Sequence, residues 1–268
     1  MSGDGPAGAR ADLLAVEEPL EIRIGGQPLT VTMRTPGDDL DLAAGFLFTE
    51  GLLSPAVDLR QIRMCDDNVA DVTLEPAGLP SPSALERATD ARRAQRNFLT
   101  TSACGVCGKE SIDSIRVRSR YDLTADRVRV SPEVLASLPD RLREAQRVFA
   151  STGGLHAAGL FGADGSLAVL REDVGRHNAV DKVIGWALRA GRLPLSGHLL
   201  LVSGRASFEL VQKAAVAGIP LLAAVSAPSS LAADLADEVG MTLVGFLRGS
   251  SMNVYTGGAR VTGVAAPT

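Results

Sequence analysis

The chain has 268 residues, of which 46% are hydrophobic and 22% are charged. This is an ordinary globular composition, and it excludes disordered, collagen-like and coiled-coil proteins. A net charge of −4 and only 4% aromatic residues argue against a nucleic-acid-binding protein, because such proteins need basic surfaces and stacking platforms. The N-terminus lacks the apolar core of a secretory signal and no apolar run is long enough for a membrane span, so we expect a cytoplasmic protein with no nucleic-acid or membrane partner.

The N-terminal part of the chain has the pattern of a small β-structure. Residues 1–15 begin with a Gly- and Ala-rich stretch and are predicted to be flexible. Apolar and polar residues alternate from Leu20 to Arg34 around Gly25-Gly26, which predicts a β-hairpin. Asp38 is predicted to cap a helix that ends at Gly51. Further strands are predicted at 61–65 and 71–75, and residues 16–85 therefore form a predicted β-rich N-terminal domain.

Residues 86–130 are predicted to be a basic loop region around two cysteines. Four arginines precede the segment Cys104-Gly105-Val106-Cys107-Gly108-Lys109, and the glycines that follow each cysteine permit tight turns that expose sulfur. Nearby cations lower the pKa of a thiol and favour the reactive thiolate. The CxxC pair alone is compatible with zinc binding, with redox or sulfur-relay chemistry, or with no chemical role.

A zinc site would need two more ligands, and few residues can supply them. The chain has three histidines and one further cysteine, and they form no second CxxC and no HxxxH pattern. His156 and His177 each suit either a turn or a functional site. His198 precedes an apolar strand and is predicted to be a simple strand-entry residue. Cys65 lies outside every motif and is predicted to be a small buried hydrophobic residue.

Residues 131–268 are predicted to be an α/β domain. A helix over 132–149 leads to a hairpin of strands over 155–161 and 166–171, and a helix over 178–189 follows. Three short apolar strands then alternate with helices of about three turns, at 199–203, 207–217, 220–225, 231–239 and 241–246. This alternation predicts a parallel or mixed sheet with helices on both faces.

Polar residues gather where these strands end and helices begin. Arg176 and His177 follow one strand, Ser207 and Ser229 follow two others, and Phe246-Leu247-Arg248-Gly249-Ser250-Ser251 closes the last strand. Parallel strands end at one edge of a sheet, and helix N-termini attract anions, so these residues predict one crevice for a phosphate-bearing ligand. Capping and salt bridging are the alternative role of these clusters. The chain has no P-loop and no G-x-G-x-x-G motif.

Five separated motifs together identify the chain as a member of the FdhD family, the formate dehydrogenase accessory sulfurtransferases. The motifs lie in the segments 102–108, 153–158, 171–182, 204–207 and 226–228, and the similarity extends from Thr35-Pro36 to Tyr255. The resemblance implies a cytidine-deaminase-like α/β fold with an N-terminal extension. The deaminase zinc signature is missing, because His156 is followed by two alanines and Ala103 precedes Cys104, which argues against deaminase chemistry.

The resemblance also implies a function for the motifs. It implies that Cys104 takes sulfur as a persulfide from a cysteine desulfurase and passes it to the molybdenum bis(guanine dinucleotide) cofactor of formate dehydrogenase. Our own hypothesis for Cys107 is that it assists release of the sulfur or resolves the persulfide as a disulfide. The cofactor segment of the family falls on 246–251, and GDP is expected to act as a partial mimic of the cofactor. We expect a homodimer. The alternatives are a noncatalytic, zinc-stabilised cofactor chaperone and, less favoured, a dithiol oxidoreductase.

Overall fold

The computed structural model of the protein describes residues 12–53, 59–74 and 119–263. The elements of the N-terminal part are β1 (Glu18–Ile24), β2 (Gln27–Arg34), α1 (Asp39–Thr49), β3 (Leu59–Asp66) and β4 (Val69–Leu74). Those of the C-terminal part are α2 (Pro132–Ala145), α3 (Arg147–Thr152), β5 (His156–Gly162), β6 (Leu167–Asp173), α4 (Arg176–Arg189), β7 (His198–Val202), α5 (Phe208–Val216), β8 (Leu221–Ala224), α6 (Ser230–Glu238), β9 (Thr242–Arg248) and β10 (Ser251–Thr256).

The first four strands form a small sheet in the order β2-β1-β4-β3. Strands β1 and β2 are antiparallel and turn at Gly25 and Gly26, both of which have positive φ, so the predicted hairpin is confirmed. Helix α1 follows at Asp39, but the prediction that the Asp38 side chain caps it is wrong. Asp38 adopts a left-handed conformation with φ 55°, and its carboxylate lies 3.4 Å from Nε of Arg171 instead.

The other six strands form a large sheet in the order β10-β9-β8-β7-β5-β6. Strands β7, β8 and β9 are mutually parallel, whereas β5 is antiparallel to both β6 and β7, and β10 is antiparallel to β9. The sheet is therefore mixed, not purely parallel. Strands β6, β7, β8 and β9 all end at one edge, where β5 and β10 begin. We call this the C-terminal edge.

Helices cover both faces of the large sheet. Leu135, Leu138 and Leu142 of α2 pack on one face together with strand residues such as Phe161. The predicted helix over 132–149 is broken at Gln146, which separates α2 from α3. On the other face, α4, α5 and α6 share a continuous core with α1 and the inner side of the small sheet, through residues such as Leu20 and Val183. This core joins the two sheets.

The two helices α1 and α4 cross at very close range. A Cβ placed on Gly45 of α1 would lie 1.8 Å from the Asp181 carbonyl oxygen, and one on Gly185 of α4 would lie 1.8 Å from the Asp41 carbonyl oxygen. The backbones therefore touch, and only glycine fits at these two positions. The Asp41 carboxylate of α1 forms ion pairs with Arg189 of α4 and with Arg171 of β6, so it connects α1 to both elements.

A buried ion pair links three of the helices. Nζ of Lys213 in α5 donates to the Asp181 carboxylate at 3.0 Å, to Thr49 Oγ1 at 2.8 Å and to Glu50 at 3.1 Å. Burial alone would lower the pKa of Lys213, but the Asp181 and Glu50 carboxylates outweigh it and raise the pKa. The lysine is therefore charged, and it connects α5 to α4 and to the end of α1.

The domain boundary and the search for membrane-spanning helices concern the chain as a whole. The predicted domain boundary at 85/86 lies outside the described residues, so it remains a prediction. Among the described residues, no helix is long and apolar enough to cross a bilayer.

Candidate functional site

Backbone hydrogen bonds join the loops of the C-terminal edge to one another. Ser226 N donates to Gly204 O at 3.3 Å, and Ser229 N donates to Ala206 O at 3.0 Å, which ties the loop after β7 to the loop after β8. Phe246 N donates to Ser226 O at 3.1 Å, which adds the end of β9. The three predicted strand-to-helix and strand-end segments therefore form one continuous surface, as the parallel order of β7, β8 and β9 requires.

The segment at the end of β9 presents an exposed turn beside this surface. Phe246 has φ 52° and a 40% exposed side chain, a strained backbone that is uncommon for an aromatic residue. Leu247 is fully buried in the core, so only its backbone is available to a ligand. Arg248 Nε donates to Val225 O at 3.2 Å, which holds the guanidinium over the end of β8. The exposed turn continues through Gly249, Ser250 and Ser251.

A second group of polar side chains lies at the start of α4 and α5. His177 Nε2 lies 2.7 Å from Glu209 Oε2 and 3.4 Å from Ser207 Oγ. Arg176 precedes His177 in the first turn of α4, and its Nε is buried with no hydrogen-bond partner among the described residues. We call the cluster of five side chains at this place the histidine corner; its members are His156, Arg176, His177, Ser207 and Glu209.

His156 begins β5 and approaches the loop after β7. A Cβ placed on Gly204 would lie 3.4 Å from its Nδ1, so the ring lies against the backbone of that loop. Burial, followed by the charges of Arg176 and His177, lowers the pKa of His156, although Asp173 opposes the shift. The imidazole is therefore neutral at neutral pH and can accept a hydrogen bond.

Of the three helices that follow β6, β7 and β8, two begin without a side-chain cap. Gly175 precedes α4 and Ser207 precedes α5, and neither contributes a side-chain cap hydrogen bond. Ser229 does cap α6, because its Oγ accepts from Ala232 N at 3.2 Å. Uncapped N–H groups and the helix dipole favour anions, so the histidine corner is the part of the edge best suited to bind a phosphate group.

Most other polar residues of the segment 171–182 have structural roles. Glu172 accepts hydrogen bonds from Val148 N and Phe149 N at the start of α3. Asp173 is fully buried, accepts from Thr35 N and Gly175 N, and forms a 2.8 Å ion pair with Lys182. Capping and salt bridging, the alternative considered for this cluster, therefore explain these residues. Arg176 and His177 are the members that reach the C-terminal edge.

The described residues include one of the three cysteines, Cys65. Cys104 and Cys107 lie outside the described residues. Cys65 is exposed, so the prediction that it is buried is wrong. It lies on β3, where Ile62 and Met64 face the core and the alternate positions face solvent. Within residues 12–53, 59–74 and 119–263, no group of three His, Cys, Asp or Glu residues could hold a metal ion.

The sequence alone does not assign two residues of the histidine corner. The pattern around His156 suits either a turn or a functional site, and Glu209 lies outside the five motifs. An acidic residue in the first turn of a helix ordinarily indicates only a favourable helix dipole interaction. The contact of Glu209 with His177 depends on how α4 and α5 pack, which the local pattern does not reveal. His198 begins β7, and it hydrogen bonds to the Ser196 carbonyl.

Comparisons with known proteins cover nearly the whole chain. The family model for the FdhD/NarQ family matches residues 15–262. The sulfur carrier protein FdhD of Streptomyces avermitilis is 58% identical over 268 residues, covering 96% of this chain and 92% of the relative. The sulfur carrier protein FdhD of Mycobacterium tuberculosis is 54% identical over 265 residues, covering 94% and 93%.

A solved structure supports the fold. A formate dehydrogenase accessory protein from Desulfotalea psychrophila is similar with a TM-score of 0.70 and 26% identity, covering 93% of this chain and 91% of that one. The mixed α/β architecture with two sheets is therefore shared. The likeness to cytidine deaminases and the homodimer stay predictions.

Proposed function

Because the chain belongs to the FdhD/NarQ family, we propose that it carries sulfur for the maturation of a formate dehydrogenase in the cytoplasm. The observation that carries the proposal is 58% identity to named sulfur carrier proteins over almost the full chain, in a span that contains both Cys104 and Cys107. We propose a cysteine desulfurase as the sulfur donor and the molybdenum bis(guanine dinucleotide) cofactor as the acceptor.

Cys104 is the proposed sulfur-bearing residue. Its thiolate attacks the outer sulfur of the desulfurase persulfide, the donor S–S bond breaks, and the donor cysteine leaves as a thiolate. The thiolate of Cys107 can then attack the inner sulfur of the Cys104 persulfide. This step forms a Cys104–Cys107 disulfide and releases the carried sulfur as hydrosulfide, and a cellular thiol reductant restores the pair. The step conserves sulfur atoms and electrons.

The C-terminal edge is the proposed binding site for the acceptor. The cofactor carries phosphate-linked guanosines, and its phosphates suit the uncapped starts of α4 and α5 together with Arg176, His177 and Ser207. Ser229 and the turn 246–251 extend the same surface, and Arg248 supplies a second guanidinium. The donor set is cationic and rich in hydroxyl and N–H groups, so it fits phosphates.

The persulfide assignment is tested by mass spectrometry after incubation with a desulfurase and cysteine. We expect Cys104→Ser to fold normally, to gain no sulfur and to fail in formate dehydrogenase maturation. Cys65→Ser is the matched control, because Cys65 is an exposed cysteine outside every motif, and it should load and mature as the wild type does. A sulfur adduct on Cys107 alone, with full activity, would reverse the assignment. Stoichiometric zinc lost with folding in a Cys104/Cys107 double variant would favour the zinc-stabilised chaperone.

The acceptor site is tested with GDP as a partial mimic. A charge-assisted hydrogen bond contributes about 1.5–3 kcal/mol, so Arg248→Ala should weaken GDP binding about tenfold or more in calorimetric titration. Persulfide loading on Cys104 should not change. Arg127→Ala removes an exposed arginine outside the edge and serves as the control. Equal GDP affinities for Arg248→Ala and wild type would remove Arg248 from the site.

A further inference from the structure

We infer that Glu209 is an internal competitor for the anion site of the histidine corner, and that a bound diphosphate group displaces it from His177. The inference rests on the proposed function, because it concerns the same C-terminal edge. It identifies a residue that decides how strongly this edge holds an anionic ligand.

The contact between Glu209 and His177 places a carboxylate where we expect a phosphate to bind. Glu209 Oε2 lies 2.7 Å from His177 Nε2, so a carboxylate already occupies the nitrogen that a phosphate oxygen would use. A hydrogen bond from His177 lowers the pKa of Glu209, against the opposing effect of burial, so the carboxylate is ionised at neutral pH. A diphosphate on Arg176 and Ser207 would meet this negative charge at close range.

The environment of Glu209 allows its side chain to move away from His177. Its side chain is 50% exposed, so rotation into solvent loses little packing. Lys213, one turn further along α5, is engaged by Asp181 and Glu50 and does not hold Glu209 by a hydrogen bond. The charged groups that act on Glu209 are, in order of effect, His177, Lys213 and Arg176. Two of these three belong to the histidine corner itself.

The Ser207 hydroxyl beside this contact also supports the inference that Glu209 competes with an anionic ligand. Ser207 makes no side-chain cap hydrogen bond, and its Oγ lies 3.4 Å from His177 Nε2. Without Glu209 in place, Ser207, His177 and the first N–H groups of α5 would face one anion together. The Glu209 carboxylate therefore stands where the anionic ligand is expected.

Calorimetric titration with GDP and with pyrophosphate tests this inference. Glu209→Gln keeps the shape of the side chain and removes its charge, and we expect it to bind both ligands about tenfold more tightly than the wild type. Glu133→Gln is the matched control, because Glu133 is exposed at the start of α2, near the β5–β6 turn at the opposite edge of the large sheet. It should bind as the wild type does.

The other outcomes separate the inference from the proposed function. Equal affinities of wild type and Glu209→Gln would overturn the competition while leaving the GDP site intact. Weaker GDP binding by Glu209→Gln with unchanged pyrophosphate binding would overturn it too, and would show that Glu209 recognises the guanine base. If neither GDP nor pyrophosphate bound to the wild type or to Glu209→Gln, both the proposed acceptor site and the competition would be wrong.

Imidazole NMR gives a readout that does not depend on affinity. The chain has three histidines, so three C2–H resonances are expected, and His177→Gln assigns one of them. Saturating pyrophosphate should shift the His177 resonance as Glu209 is displaced, and the His198 resonance should stay in place. An unchanged His177 resonance at saturation would overturn the displacement.

Discussion

Among single residues, the buried pair Lys213 and Asp181 should be one of the most costly to break. Lys213→Met leaves the Asp181 carboxylate buried at 2% exposure without its cation, and removal of one partner of a buried pair costs about 3–5 kcal/mol. Urea denaturation should show this loss, whereas Arg127→Met, at an exposed position, should change stability little. A loss below 1 kcal/mol for Lys213→Met would contradict the ion pair.

The neutral imidazole of His156 makes the protein sensitive to mild acid. Its folded pKa lies below the unfolded value of about 6.5, so the unfolded chain binds a proton that the folded chain does not, and stability falls as pH drops below that value. Between pH 7 and 5.5 the effect is at most about 1 kcal/mol for this half-buried ring. We expect His156→Gln to flatten the pH dependence of the unfolding free energy, and His198→Gln to serve as the control. A profile that is unchanged in His156→Gln would contradict this account.

At the scale of secondary-structure elements, the crossing of α1 and α4 is the least tolerant contact. Gly185→Ala places a methyl group against backbone, not against a flexible side chain, so the helices must separate. Overpacking of this kind costs about 1–3 kcal/mol or more. Urea denaturation should show the loss, and the fluorescence of Trp186, the one tryptophan of the chain, should report the shift of α4.

Gly204→Ala is the control for this prediction. At that position a methyl group meets its nearest neighbour at 3.4 Å, an ordinary contact distance, so stability should stay close to wild type. Equal unfolding free energies for Gly185→Ala and Gly204→Ala would show that the two helices can separate freely.

The elements themselves were largely predictable, and their arrangement was only partly so. The alternation around Gly25-Gly26 and the helical spacing of 178–189 gave strands and helices close to their observed bounds. Periodicity identifies buried faces but not neighbours. It could therefore not show that β5 lies antiparallel beside β7, or that α4 and α5 bring His177 to Glu209. The exposure of Cys65 was missed because a cysteine on its own does not indicate which face of an edge strand is buried.

For the whole molecule, the continuous core predicts cooperative unfolding. Residues of the small sheet, of α1 and of the large sheet pack in one hydrophobic cluster, and Asp173 connects Thr35 to α4 through its ion pair with Lys182. We expect one urea transition, with coincident curves from circular dichroism and Trp186 fluorescence. Two separate transitions would show that the sheets unfold independently.

The main-chain hydrogen bonds that join the loops after β7 and β8 to the end of β9 determine which substitutions this surface can accept. The loops are held to one another through main-chain atoms, at Gly204, Ala206 and Ser226, and those contacts do not depend on the side chains exposed at this surface. Substitution of the exposed side chains can therefore alter ligand preference while the scaffold beneath them keeps its shape.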